Sequence, residues 1–323
     1  MKIWVGLMLL TAAVFLLALS FGDQRIPFVA VLSALRGTAE APVQMIVTGL
    51  RLPRAVMALL VGAALGASGA LAQAIMRNPL AEPGLLGINA GAALAAVLVI
   101  VQLDGVPQGL LPWLTFGGAL AMSVAIHALS WRRGSSSTRI ILVGIGLSAL
   151  AGAAASFIST FGDAPAVQRA MIWLAGSLQD SRWERVRMLA SWSALPLALA
   201  WAMARELDVI AMGDTVARGL GQRVDAVRGA AVLLCALLSG AAVAASGLVA
   251  FVGLVAPHLA RRLFGQAHAR LIPGAALIGA ALVLSADLAA RNVMPPVQIP
   301  VGVFTALLGA PFFGWLLWRR RDG

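Results

Sequence analysis

The chain alternates long, uninterrupted apolar stretches with short polar breaks. The stretches fall at residues 3–21, 51–76, 85–103, 109–131, 140–161, 188–203, 229–245, 247–264, 272–290 and 301–318. A bilayer core about 30 Å thick takes roughly 20 apolar residues per helical crossing. Runs of this kind therefore specify membrane helices; a transmembrane barrel would instead show ~10-residue segments of alternating polarity. The composition agrees. Of 323 residues, 60% are hydrophobic and 11% are charged, and the mean hydropathy is +0.91. A soluble domain carries about 25% charged residues. The expectation is an all-α polytopic membrane protein with about ten transmembrane helices, both termini cytoplasmic, and residues 1–323 forming one transmembrane domain.

The basic residues decide orientation and exclude a motor. The formal net charge is +11, but the arginines sit between the apolar runs, which points to membrane topology rather than nucleic acid. With both termini inside, the breaks at 132–139 and 205–228 and the terminal Arg319, Arg320 and Arg321 place the larger share of the positive charge in the cytoplasm. Ala18-Leu19-Ser20 would suit signal cleavage, but with so many spans following, an uncut first helix is expected. Lys2 is the single lysine and has no glycine-rich loop before it. A Walker A loop needs its lysine on the phosphates, so this chain hydrolyses no ATP by that machinery. The lone Cys235 excludes an intrachain disulfide. His127, His258 and His268 are scattered without ligand spacing, and neither a nucleophile–base pair nor paired catalytic carboxylates stand out. No catalytic residue, metal ligand or resident cofactor is expected.

Several polar or small-residue segments stand out against this background. Gly62, Gly66 and Gly69 share a helix face, a spacing that lets helix backbones approach closely. Asn78-Pro79-Leu80-Ala81-Glu82-Pro83-Gly84 cannot continue a helix. Irregular backbone at membrane depth must be buried in protein or line a cavity, so this segment is a gate candidate, with a plain turn as the alternative. Residues 207–221 are too short and polar to span; they suit a surface helix broken at Gly213, and such an element could dock a separate motor or be a solvated loop. Arg51, Arg54 and Arg291 fall at outer ends of spans, against the orientation bias. They suit either pairing with acids on a soluble partner or headgroup anchoring. Asp287 lies within an apolar run, four residues before Arg291, which suggests a local ion pair.

The residues Arg51-Leu52-Pro53-Arg54, Arg77-Asn78-Pro79-Leu80-Ala81-Glu82-Pro83-Gly84-Leu85-Leu86-Gly87, Phe251-Val252-Gly253-Leu254-Val255-Ala256-Pro257-His258, Ile299-Pro300-Val301-Gly302 and Gly309-Ala310-Pro311-Phe312-Phe313 occur in an order that closely resembles the permease family importing iron–siderophores, haem and cobalamin. The resemblance implies a permease in the bacterial inner membrane, paired with a second permease chain, identical or homologous. Its further partners are a cytoplasmic ABC ATPase dimer, which holds the ATP and magnesium, and a periplasmic substrate-binding protein. It implies that the loop at about 205–226 is the coupling element, with Leu207, Asp208, Met212, Gly213, Asp214, Ala217 and Gly221. It implies that Arg51, Arg54 and Arg291 dock the binding protein, and that Asn78, Leu80, Ser137 and Thr138 lie at the inner gate. Gln298 stands before Ile299-Pro300 where the family commonly has Glu. The substrate expected is a ferric siderophore or ferric citrate-like chelate, with haem and cobalamin as alternatives. A proton-coupled secondary transporter is the competing class and would make Asp287 essential.

Overall fold

The computed structural model describes residues 1–319 except 104, 108, 132, 133, 135, 295 and 296. Arg132, Arg133, Arg320 and Arg321, which entered the orientation argument, lie outside the described residues. Within them the chain is helical, with no strand. In order, the helices are α1 (Lys2–Ser20), α2 (Phe28–Leu35), α3 (Ala41–Met76), α4 (Ile88–Gln102), α5 (Leu111–Ser130), α6 (Ser137–Thr160), α7 (Ala164–Leu174), α8 (Trp183–Ala202), α9 (Ala204–Ala211), α10 (Asp214–Gly219), α11 (Val224–Ser246), α12 (Val252–Phe264), α13 (His268–Asn292) and α14 (Val301–Arg319).

Burial sorts these helices into layers. The apolar stretches of α3, α11 and α13 are mostly buried inside the chain, whereas only a small share of those of α1, α5 and α6 is buried. Apolar side chains gain little by leaving lipid for protein, so the central helices must be held by close packing. The glycines supply it. A Cβ at Gly62 would lie 2.2 Å from the Gly279 carbonyl oxygen, one at Gly66 would lie 2.1 Å from that of Ala275, and one at Gly69 would lie 1.9 Å from that of Gly253. Thus α3 is pressed backbone to backbone on α13 and α12, as the small-residue spacing predicts. Cys235 is buried and donates to the Ser68 carbonyl at 3.3 Å, a packing role.

Each of the ten apolar runs contains a helix, but not each helix crosses alone. Among the described residues six helices are long and apolar enough to span a membrane, and a seventh crossing arises if α8 and α9, bent by 54°, count together. The run at 247–264 becomes an irregular stretch followed by the 13-residue α12, about 20 Å long at 1.5 Å per residue. The chain enters α12 through Phe251 at φ +65°, a left-handed residue that continuous hydropathy does not reveal. The run at 85–103 likewise opens with a 3₁₀ turn, Pro83–Leu86, before the 15-residue α4. At the start of this irregular stretch Ser177 N–H donates to the Ser246 carbonyl at 2.7 Å, and the neighbouring Gly176 carbonyl accepts from the Gly302 N–H at 3.1 Å. Such pairing is what non-helical backbone inside a membrane protein requires.

Helix α3 is unusual at its start. Residues Met45–Arg51 form π turns that run directly into Pro53. Proline has no N–H to return to the preceding turn, and the wider turns carry the helix into it.

Candidate functional site

Helices α3 and α13 run antiparallel, so the start of α3 and the end of α13 share one end of the bundle. Polar chemistry gathers at both ends.

At the first end three guanidiniums converge. Arg54 donates to both Asp287 carboxylate oxygens, through Nε at 3.0 and 3.1 Å and Nη2 at 2.9 Å, and through Nη1 to Gln298 Oε1 at 2.8 Å. Gln298 in turn donates to Asp23 at 3.4 Å. Arg291 Nε lies 3.3 Å from Asp287 Oδ2, the local pair that the four-residue spacing suggested. Arg51 Nη1 donates to the carbonyls of Leu19 and Ser20 at 2.8 and 2.9 Å, and its Nη2 donates to that of Gln24. Arg291 Nη2 donates to the Ala18 carbonyl at 3.1 Å. The last carbonyls of a helix lack intrahelical donors and carry partial negative charge. Arg51 and Arg291 therefore cap the C-terminus of α1. In this conformation Arg51, Arg54 and Arg291 are 7, 12 and 6% exposed. Their hydrogen bonds are made within the chain, and an incoming carboxylate would have to compete with those acceptors.

The same end holds a cavity of about 470 Å³. Its polar lining includes Arg169, Arg185, Asp180 and Ser177, with Trp173 beside them.

The opposite end carries the predicted coupling and gate residues. The 205–226 region folds as α9 and α10 at an angle set by Gly213, whose φ of +106° breaks the helix where the sequence suggested. Leu207 and Ala217 are fully buried anchors. Asp208 caps α13: its Oδ1 accepts from the His268 backbone N–H at 2.9 Å and lies 2.5 Å from the ring Nδ1. Asp214 accepts from Arg228 Nη2 at 2.8 and 3.0 Å, and Arg228 is 0% exposed. Gly221 turns the chain at φ +80°. Exposed on its outer side is an apolar edge, Met212 and Leu220 at 66% each with Val216 between them, flanked by exposed Arg205, Glu206, Arg218 and Arg223. Of the predicted coupling residues, only Met212 belongs to this face. Val216 and Leu220, which share this edge, were not among the sequence candidates, because their spacing does not say which side of the short helix after Gly213 faces outward.

The gate candidates meet nearby. Ser137, at the start of α6, donates through Oγ to the Ile75 carbonyl at 2.7 Å. Asn78 folds the following turn by accepting from the Leu80 N–H at 2.9 Å. Thr138 is exposed beside Ser137. The helix ends that flank the two connections suggested by sequence, the last turn of α3 and the start of α6, are therefore joined by a hydrogen bond. Glu82 is half-buried in the same segment, and desolvation pushes its carboxyl above the ordinary carboxylate range. Pro83 sits against Gly253, where a Cβ would lie 2.8 Å from its ring.

Residues 9–319 match the profile of the FecCD transport family. The chain is 38% identical over 318 residues to the iron(3+)-hydroxamate import system permease protein FhuG of Bacillus subtilis, covering 96% of this chain and 95% of that one. It is 42% identical over 278 residues to the hemin transport system permease protein HmuU of Yersinia pestis, covering 84% and 83%. A solved structure of a metal-chelate type ABC transporter in an inward-facing conformation superposes with a TM-score of 0.89 at 30% identity, covering 98% of this chain and 99% of that chain.

Proposed function

Because the chain belongs to the FecCD transport family, we propose that it is the permease of an ATP-driven importer of an iron chelate in the bacterial inner membrane. The end bearing α9 and α10 faces the cytoplasm, where a dimer of ABC ATPase subunits binds and hydrolyses ATP with magnesium. The arginine end faces the periplasmic binding protein that delivers the ligand. A second permease chain covers part of the exposed apolar surface of α6 and α14, and lipid covers the rest. The match to the family over residues 9–319 carries this reading, and the held, outward-facing apolar edge of α9 and α10 supports it.

The geometry gives each end a role. An ATPase that grips Met212, Val216 and Leu220 moves an element anchored by Leu207, Ala217, Asp208 and Asp214. That motion passes to the Asn78–Leu80 and Ser137–Thr138 segments, which open or close toward the cytoplasm. The chain makes and breaks no covalent bond; it shifts between two packings of the same helices. At the other end, Arg51, Arg54 and Arg291 outnumber Asp287 and Asp23. Their field draws an acidic docking surface even where direct contact is limited.

Relatives of this family named for hydroxamate, citrate and achromobactin transport support a ferric chelate as substrate. The 42% identity to a hemin permease favours haem as the second reading. The test is uptake of radiolabelled iron by cells lacking this chain, supplied in turn with a ferric hydroxamate, ferric citrate or haemin. Loss of one of these, restored by the gene, is expected; undiminished uptake of all three would count against an iron-chelate role.

A further inference from the structure

The residue that caps the C-terminal end of α3 is Arg77, at φ +48° and ψ +37°. It is one of two non-glycine residues in the left-handed region among the described residues. A left-handed helix end is ordinarily taken by glycine, which has no Cβ to crowd the backbone. An arginine kept there at a conformational cost points to a use for its side chain. That side chain reaches across to the coupling segment. Arg77 Nη1 lies 3.8 Å from Asp214 Oδ1, the same oxygen that accepts from Arg228 Nη2 at 2.8 Å. The guanidinium lies alongside Gly213, where a Cβ would make ordinary contact with Arg77 Nη1 at 3.4 Å.

The two halves of this contact differ in kind. Arg228 is fully buried in α11 and holds Asp214 tightly. The Arg77–Asp214 pair is longer and more open, with side chains 42 and 26% exposed. A pair of this sort is weak and easily exchanged with water, which suits a contact remade in each cycle. On one side of it is the first residue of α10. On the other is the residue that directs the chain from α3 into Asn78, Pro79 and Leu80. The same helix end is tied to α6 through the Ser137–Ile75 hydrogen bond, so displacement of Arg77 would reach both gate connections.

Resting on the proposed function, we propose that Arg77 is a positioning residue that transmits movement of α10, through Asp214, to the gate segment. It contacts neither ATP nor substrate. Its contribution appears in how much solute moves for each ATP hydrolysed.

The test uses the complete transporter, with ATPase and binding protein, in proteoliposomes. Arg77→Gly removes the guanidinium while suiting the left-handed backbone. Arg77→Lys keeps the charge, and Asp214→Asn removes the opposing one while keeping an acceptor for Arg228. Arg77→Gly is expected to assemble and melt like wild type yet transport about tenfold less per ATP, within the range of ordinary intersite coupling. Arg77→Lys should retain most of that ratio. Adding Asp214→Asn to Arg77→Gly should cost little more, because the shared contact is already gone. Wild-type coupling in Arg77→Gly, an equal loss in Arg77→Lys, or additive losses in the double variant would overturn the proposal. A wild-type complex that shows no ATP-dependent uptake at all would instead overturn the functional reading on which it rests.

Discussion

Arg54 grips both oxygens of Asp287 from 233 positions away in sequence, at 2.9 to 3.1 Å, with the carboxylate only 1% exposed. The pair fastens the start of α3 to the end of α13, and Arg291 stands on the carboxylate's other side. Removing one partner of a buried pair leaves an uncompensated charge, typically at a cost of about 3–5 kcal/mol. Asp287→Ala should therefore lower the unfolding free energy in detergent by about that amount. Asp287→Asn, which keeps an acceptor for Arg54, should cost less. A secondary transporter with Asp287 as proton carrier behaves differently: either variant would abolish gradient-driven uptake while leaving the melting temperature in place.

The glycine seam gives a second prediction. At Gly66 even a methyl group would meet the Ala275 carbonyl oxygen at 2.1 Å, and backbone cannot rotate aside as a side chain can. Overpacking costs about 1–3 kcal/mol in ordinary cores, and Gly66→Val should reach or exceed the upper figure. Gly146, with nothing within 4 Å of a Cβ, is the control. Gly146→Ala should melt within a degree or two of wild type, where surface changes of ±0.5 kcal/mol belong. Equal melting of both variants would remove the close α3–α13 contact from the account.

Glu82 predicts a pH dependence. Burial raises its folded pKa, so between the ordinary glutamate value of about 4.3 and that raised value the folded state binds more protons than the unfolded state. Stability is lost as pH rises through this window. Glu82→Gln, uncharged at every pH, should be more stable than wild type at pH 7, and the difference should close as pH falls below about 4. Thermal unfolding across pH would show it. A difference that does not change with pH would place Glu82 in water.

The coupling segment carries an outward apolar edge, and its Asp208 and Asp214 are engaged within the chain. Met212→Asp or Leu220→Asp should weaken ATPase binding by about tenfold or more, as loss of a buried apolar anchor does at interfaces, while leaving the chain folded. Asp214→Arg should disturb folding as well, because Arg228 would face a like charge. Pull-down of the ATPase together with permease melting separates the two effects. Unchanged assembly in both apolar variants would refute the docking edge.

Local features were legible in sequence where the physics is local. The apolar runs, the Gly62–Gly66–Gly69 face, the break at Gly213 and the Asp287–Arg291 pair all follow from spacings within a few residues. The Arg54–Asp287 grip could not be read that way, since nothing in either segment names the other. The capping of α1 by Arg51 and Arg291 was hidden for the same reason: its acceptors are backbone carbonyls, which every residue has. The short α12 was masked because hydropathy runs smoothly through Phe251, where the backbone turns. At the coupling segment the residue types were visible, but their inward or outward direction was not. Asp208 and Asp214 therefore stood as contact candidates, whereas the fold uses them as ties to α13 and α11.

The central claim is that this chain moves solute only when a separate ATPase works it. Proteoliposomes holding the chain, loaded binding protein and ferric chelate should be assayed with and without the ATPase subunits, with ATP present throughout. The account predicts accumulation only when the ATPase is present, and none on an imposed proton gradient alone. Accumulation by the chain without any ATPase would contradict it.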